Sequence, residues 1–195
     1  MSPILSAKGG LSSQAYGQFA ASTAVAPDLG AMFPIGMVQV GSGGSSYIEF
    51  TSIPSTYKHL QIRGIINKST AGDVAMRMSF NSDTGNNYAY HFLDGNGSSA
   101  IAGGSANDLF DVFYPISTTS SIFSGAIIDI LDYANTNKYK TSRVLAGTDL
   151  NGSGRFGLKS GLWMNTNAIT SIKLNPSSGN FSQYSQFALY GIKGA

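Results

Sequence analysis

The chain has 195 residues, of which 42% are apolar and only 11% charged, with 24 glycines, no cysteine and a formal net charge of +2. Long exposed helices draw on Glu, Lys, Gln and Arg, so a chain with the single glutamate Glu49 excludes a helix-rich architecture and points to an all-β fold. The even charge balance excludes the basic footprint of a nucleic-acid binder, and the absence of Cys excludes disulfide staples and thiolate metal sites.

Residues 1–35 read as an extended N-terminal arm rich in Ala, Ser and Gly and punctuated by Pro3, Pro27 and Pro34. An arm of this composition becomes ordered only where a partner holds it. Phe19, Val25, Leu29, Met32, Phe33 and Ile35 are its expected apolar anchors, buried against a neighbouring subunit or, for the last few of them, against the sandwich of the same chain. Ala24-Val25-Ala26 has the look of a signal cleavage site, but no apolar run precedes it. No stretch approaches the 18 consecutive apolar residues of a spanning helix, so membrane insertion is not expected.

From residue 36 to 195 the pattern becomes one domain of short apolar stretches separated by Gly, Asn, Ser, Asp and Pro. Met37–Val40 and Ser45–Phe50 flank Gly41-Ser42-Gly43-Gly44, which reads as a hairpin connection. His59–Ile66 and Val74–Phe80 alternate cleanly, with Leu60, Ile62 and Ile66 on one face of the first and Val74, Met76, Met78 and Phe80 on one face of the second. Asn81–Asn87 is a polar turn, followed by a strand at Tyr88–Leu93 and a turn at Asp94–Gly97. Ser98–Asn107 reads as a longer Gly- and Ala-rich loop, and Leu109–Ile116 resumes the β pattern. Ile122–Leu131 is apolar on both faces and is expected to be the most buried strand. Tyr139–Asp149 and Arg155–Asn165 form a hairpin across Asn151-Gly152, and Ser171–Asn175 and Ser185–Tyr190 close the domain. About ten strands without crossover helices predict an antiparallel β-sandwich, jelly-roll-like, carrying the extended arm. Few charges guard its sheet edges, so association with copies of itself is expected.

The chemistry-bearing residues are sparse. His59 and His91 are the only histidines, and neither sits in a nucleophile or metal motif. Asn81, Asp83, Asn86 and Asn87, and separately Asp129, Asp132 and Asn135, offer oxygens but not the carboxylate count or spacing calcium favours. Asp94, Asn96, Asp149 and Asn151, beside an aromatic such as Tyr88 or Trp163, make candidate glycan-binding loops, because sugars take planar hydrogen-bonding groups next to an aromatic face. No catalytic residue, metal site or cofactor is assigned.

Four ordered blocks carry a resemblance. They are Phe50-Thr51-Ser52-Ile53-Pro54-Ser55-Thr56-Tyr57-Lys58-His59-Leu60-Gln61-Ile62-Arg63-Gly64, Phe80–Tyr88, Ile128-Asp129-Ile130-Leu131-Asp132-Tyr133-Ala134-Asn135-Thr136-Asn137-Lys138-Tyr139-Lys140-Thr141, and Gln186-Phe187-Ala188-Leu189-Tyr190-Gly191-Ile192. Together, over about residues 40 to 193, they resemble virion structural proteins of tailed bacteriophages, common in marine bacteriophages and cyanophages; Leu5–Leu11 is similar to the start of short members. The resemblance implies a non-enzymatic β-sandwich on the virion, present in several copies. It would be either a capsid or tail decoration subunit, partnered by other virion proteins, or a fibre-associated tip that meets a host surface glycan.

Overall fold

The computed structural model describes residues 31–70, 74–113 and 116–194. Contacts divide the chain after Ala31, and the unit beginning at Met32 carries every described strand. The predicted anchors Phe19, Val25 and Leu29 lie outside the described residues. The described chain is all-β, with twelve strands in two antiparallel sheets.

Eight strands make the underlying sandwich. β1 (Met32–Gln39), β3 (His59–Ile66), β8 (Ser124–Leu131) and β12 (Gln186–Ile192) lie side by side in the order β1-β12-β3-β8. β2 (Ile48–Phe50), β4 (Met76–Phe80), β7 (Phe110–Phe113) and β11 (Ile172–Pro176) form the opposing sheet in the order β2-β11-β4-β7. Within this set the chain crosses from one sheet to the other at every step but one, β4 to β7, which pair within the small sheet; this is the rolled double Greek key of a jelly roll. Two hairpins are inserted, β5 (Tyr88–Gly95) with β6 (Ala100–Asp108), and β9 (Lys140–Asp149) with β10 (Gly154–Trp163). Both extend the first sheet past β8, in the order β8-β9-β10-β5-β6, so that eight strands face four.

The core lies where the two sheets overlap. Leu60, Ile62, Ile128, Ile130, Phe187 and Leu189 on the large sheet meet Phe50, Met76, Met78, Phe80, Ile172 and Leu174 on the small one, all buried. At its edge the rings of Phe80, Tyr88, Phe110 and Trp163 cluster, Tyr88 stacked on each of Phe110 and Trp163 with centroids 6.4 Å apart and Phe80 tilted against Trp163 at 5.4 Å. Trp163 brings a polar handle into this cluster and satisfies it by donating Nε1–H to Asp83 Oδ2 at 2.8 Å.

Several sequence expectations are corrected here. The arm was expected to run to residue 35, yet β1 starts at Met32 and pairs antiparallel with β12, from Met32 opposite Ile192 to Gln39 opposite Gln186. Phe33 stacks on Tyr57 at 5.8 Å, and Ile35 and Val38 pack against the core; Met32, Phe33 and Ile35 are therefore held by their own subunit. Pro34 is tolerated because β1 is an edge strand, with a register shift between Pro34 and Gly36. Gly41–Gly44 is not a hairpin connection, because β1 pairs β12 and β2 pairs β11 in the other sheet. Ala100–Ser105 is strand rather than loop, paired with β5 along its length. The β9–β10 connection is as expected: Asn151 and Gly152 both take positive φ (58° and 103°), and Leu150 N–H donates to Ser153 O at 2.8 Å.

Gly161 on β10 sits where the small sheet comes closest. A Cβ there would lie 2.1 Å from the Phe110 ring and 2.6 Å from Ser142 Oγ, so only glycine lets that ring seat. Gly161→Ala should lower stability by about 1–3 kcal/mol through overpacking. Gly125→Ala, with nothing within 4 Å of the added carbon, should change it far less; urea unfolding of the two variants compares them.

Candidate functional site: the outer face of the large sheet

Strand β10 alternates in the opposite sense to an ordinary half-buried strand. Gly157, Lys159, Gly161 and Trp163 point inward and are buried, while Phe156 and Leu158 point outward and are exposed. The inward polar groups are paired. Lys159 Nζ donates to Asp111 O at 3.0 Å and lies over the rings of Tyr90 and Phe92, 5.0 and 5.4 Å from their centroids. Burial pushes the Lys159 ammonium below its usual range, against the opposing pull of Asp94 and Asp111. Arg155 Nη2 approaches Asp94 Oδ2 at 3.4 Å.

The register shows where the outward apolar side chains go. Met37, Ala188, Arg63, Ile127, Leu145, Leu158, Leu93 and Ala102 are successive cross-strand partners, one from each strand of the large sheet. Arg63 is the one charged member of this row. The adjacent row runs Gln186, Ile65, Gly125, Gly147, Phe156, Gly95 and Ala100. Leu158, Leu93 and Phe156 are 49%, 53% and 55% exposed. Between the two rows lies a shallow groove of about 660 Å³, with Gly125 and Gly147 in its floor and Ile65, Ile127, Leu145 and Phe156 along its sides. On the other side of the apolar row stands a polar one, Gln61, Asp129, Arg143 and Ser160, in which Gln61 Nε2 donates to Asp129 Oδ1 at 2.8 Å and Arg143 Nη1 to Ser160 Oγ at 2.8 Å.

The outer face of the small sheet is the internal contrast. It carries Glu49 opposite Lys173, Arg77 paired to Asp111 at 3.0 Å, and Ser79. An antiparallel sheet facing water normally looks like this. The large sheet does not, and a contiguous apolar patch rimmed by polar side chains marks an interaction surface.

At one end of that face, the β5–β6 and β9–β10 turns enclose an open cleft of about 550 Å³, lined by Asn96, Asp149, Arg155 and Phe156. Of the four predicted glycan-loop residues, Asn96 and Asp149 thus share a cleft. Their oxygens already build the turns: Asn96 Oδ1 accepts from Ser98 and Ser99 N–H, and Asp149 Oδ1 from Asn151 N–H at 2.8 Å. Asn151 serves the turn through its positive φ. Asp94 points to the inner face, buried and paired to Arg155, and is not on the cleft wall. Tyr88 and Trp163, the aromatics considered for a sugar platform, are buried in the core; the exposed ring at the cleft is Phe156.

The oxygen-rich stretches are structural. Asp83 accepts from Trp163 Nε1, Gly85 N and Asn87 Nδ2; burial raises its carboxyl, but these hydrogen bonds outweigh that and hold it below the usual range. Asn81 Oδ1 accepts from Thr170 and Ser171 N–H, tying the same turn to the small sheet. Asp129 points outward, whereas Asp132 contacts Lys138 and pairs with Lys58 at 2.8 Å. Asp132 N–H donates to His59 Nδ1 at 3.0 Å, which gives that histidine a structural role. His91 lies in the outward row of Ser160 and Gly104. Among the described residues no three His, Asp or Glu side chains gather as a metal-holding group, and no helix is long and apolar enough to cross a membrane.

No protein-family model matches the chain, and no curated protein is similar to it. The apolar face was missed in the sequence because Ile127 and Leu131 were assigned to burial on both sides of β8, whereas both are more than a third exposed. The available signal was on β10, where glycines and a lysine alternate with Phe156 and Leu158.

Hydrogen bonds from Lys138 and Lys58 lower the Asp132 carboxyl from 3.8 to about 2. A carboxylate depressed in the folded state stabilises it above its unfolded pKa, and that contribution is lost as pH falls through the folded value. Asp132→Asn should therefore be less stable than the parent at pH 7, and the gap should close between about pH 4 and pH 2. Urea midpoints across that range measure it.

Proposed function

We propose that this protein is a structural, non-enzymatic subunit of a tailed-phage virion, a capsid or tail decoration protein built into the particle through the outer face of its large sheet and its N-terminal arm. The observation that carries the assembly reading is the apolar row Ile127, Leu145, Leu158 and Leu93, contiguous across four strands and open to solvent in the single chain. Burying a Leu side chain is worth about 1.5–3 kcal/mol relative to leaving it exposed, so four neighbours half out of water favour a covered state. The four sequence blocks that resemble phage virion proteins support the choice of assembly. Low charge adds to it, since little like-charge repulsion keeps copies apart.

The test is incorporation. The chain should be found in purified particles, and Leu145→Asp with Leu158→Asp should cut its incorporation at least tenfold while the isolated protein stays folded by circular dichroism. Particles that take up the double variant at the parental level would overturn the assembly role of this face.

The cleft at the turns favours a second reading, a fibre-associated tip that binds a host glycan. Phe156 there stands beside Asn96, Asp149 and Arg155, an aromatic face among hydrogen-bonding groups. On a glycan array this reading expects binding at micromolar or tighter affinity that falls at least tenfold in Asn96→Ala and Phe156→Ala. A blank array removes it.

A further inference from the structure

We infer that the partner covering the outer face of the large sheet is a second copy of this chain, packed sheet on sheet about a two-fold axis that runs along β9, with Phe156 of each copy seated over Gly125 of the other. This rests on the reading of that face as an assembly surface and adds the identity and geometry of its occupant.

Area comes first. Strands about 4.8 Å apart and rising about 3.3 Å per residue make the seven strands from β12 to β6, which an axis along β9 superimposes, a face on the order of 800 Å², and a stable interface buries about 800 Å² on each side. The face is large enough to hold a copy of itself without any other element.

Shape comes second. A two-fold interface is self-complementary, so each protrusion must find a recess on the same surface. Phe156 is the protruding aromatic, and the recess is the groove floor at Gly125, where nothing lies within 4 Å of a built Cβ. Gly125, Gly147 and Phe156 are cross-strand partners in one row, on β8, β9 and β10. Rotation about an axis along β9 exchanges β8 with β10 and keeps the rows in line. It therefore sets Phe156 over Gly125, Ile127 against Leu158, and Leu145 against Leu145, with the sheets about 10 Å apart as in other aligned sheet packings; in the polar row Arg143 comes opposite Arg143, each flanked by the other copy's Asp129, which stands opposite Ser160. Gly147, on the axis, leaves room for both phenyl rings, since the ring of its own chain already lies 3.3 Å from where its Cβ would be.

The chain has no cysteine, so introduced ones report alone. In the full chain, Leu145→Cys should form a symmetric disulfide under mild oxidation, and Phe156→Cys mixed with Gly125→Cys should cross-link between copies. Sedimentation of the parent should show a dimer at micromolar concentration. Gly125→Leu fills the recess without touching the core and should weaken the dimer at least tenfold with an unchanged circular dichroism spectrum. A parent that remains monomeric at 100 µM overturns the inference. So does a dimer indifferent to both Gly125→Leu and Phe156→Ser, or a link from Phe156→Cys to Val25→Cys within one chain in place of the link between copies. A monomer whose Leu145→Asp, Leu158→Asp variant still fails to enter particles would overturn the self-pairing and leave the proposed function standing. Normal incorporation of that variant would overturn the function on its own account.

Discussion

Four strands cannot cover the inner face of eight, and most of what is unusual in this molecule follows from that mismatch. Where β2, β11, β4 and β7 lie over β12, β3 and β8, the inward residues are mostly aliphatic and aromatic and the packing is ordinary. Past β8 the cover thins, and inward Ser142, Thr148, Lys159, Arg155 and Asp94 stand among the apolar Val144, Ala146, Tyr88 and Trp163. The charged ones are partly or wholly out of water and need partners, which Asp111 O, the rings of Tyr90 and Phe92, and the Asp94–Arg155 pair provide, while Thr148 Oγ1 hydrogen-bonds Ser124 Oγ. Because strand residues alternate, a polar inner set on β10 sends Phe156 and Leu158 to the outside.

The sandwich was legible in the sequence wherever alternation and turn chemistry agreed. β3 and β4 showed their buried faces through Leu60, Ile62, Met76 and Met78, and Asn151-Gly152 marked the β9–β10 turn. β6 was not legible, because Ala100, Ala102, Gly103 and Gly104 carry no β preference of their own; that segment is a strand because β5 pairs it. Gly41–Gly44 misled for a related reason. A glycine-rich turn between two strands says that the chain bends, not whether it returns to the same sheet or crosses to the other. Pairing partners far apart in sequence, such as β1 with β12, are beyond any local pattern.

The candidate surface was only half legible. Its turns were singled out through Asn96, Asp149 and Asn151, but their side chains proved to be occupied with turn geometry. The apolar rows beside them depend on register across eight strands, and register is a property of the assembled sheet. Leu93, Leu145 and Leu158 are unremarkable one at a time and become a surface only when cross-strand pairing sets them in line.

Strand β12 is the last of the described strands and lies in the sheet's interior, hydrogen-bonded to β1 on one side and β3 on the other. Until it arrives, β1 lacks its one partner among the described strands and β3 has an open flank. During synthesis the two inserted hairpins can form locally as they emerge, but the jelly roll itself must wait for β12 to leave the ribosome. Folding is then dominated by contacts between distant parts of the chain, which is the slow end of the range for small domains. A nascent chain in that interval displays both the unfilled slot and the outer leucines, so protection during biosynthesis matters more for this topology than for one whose closing strand sits at an edge.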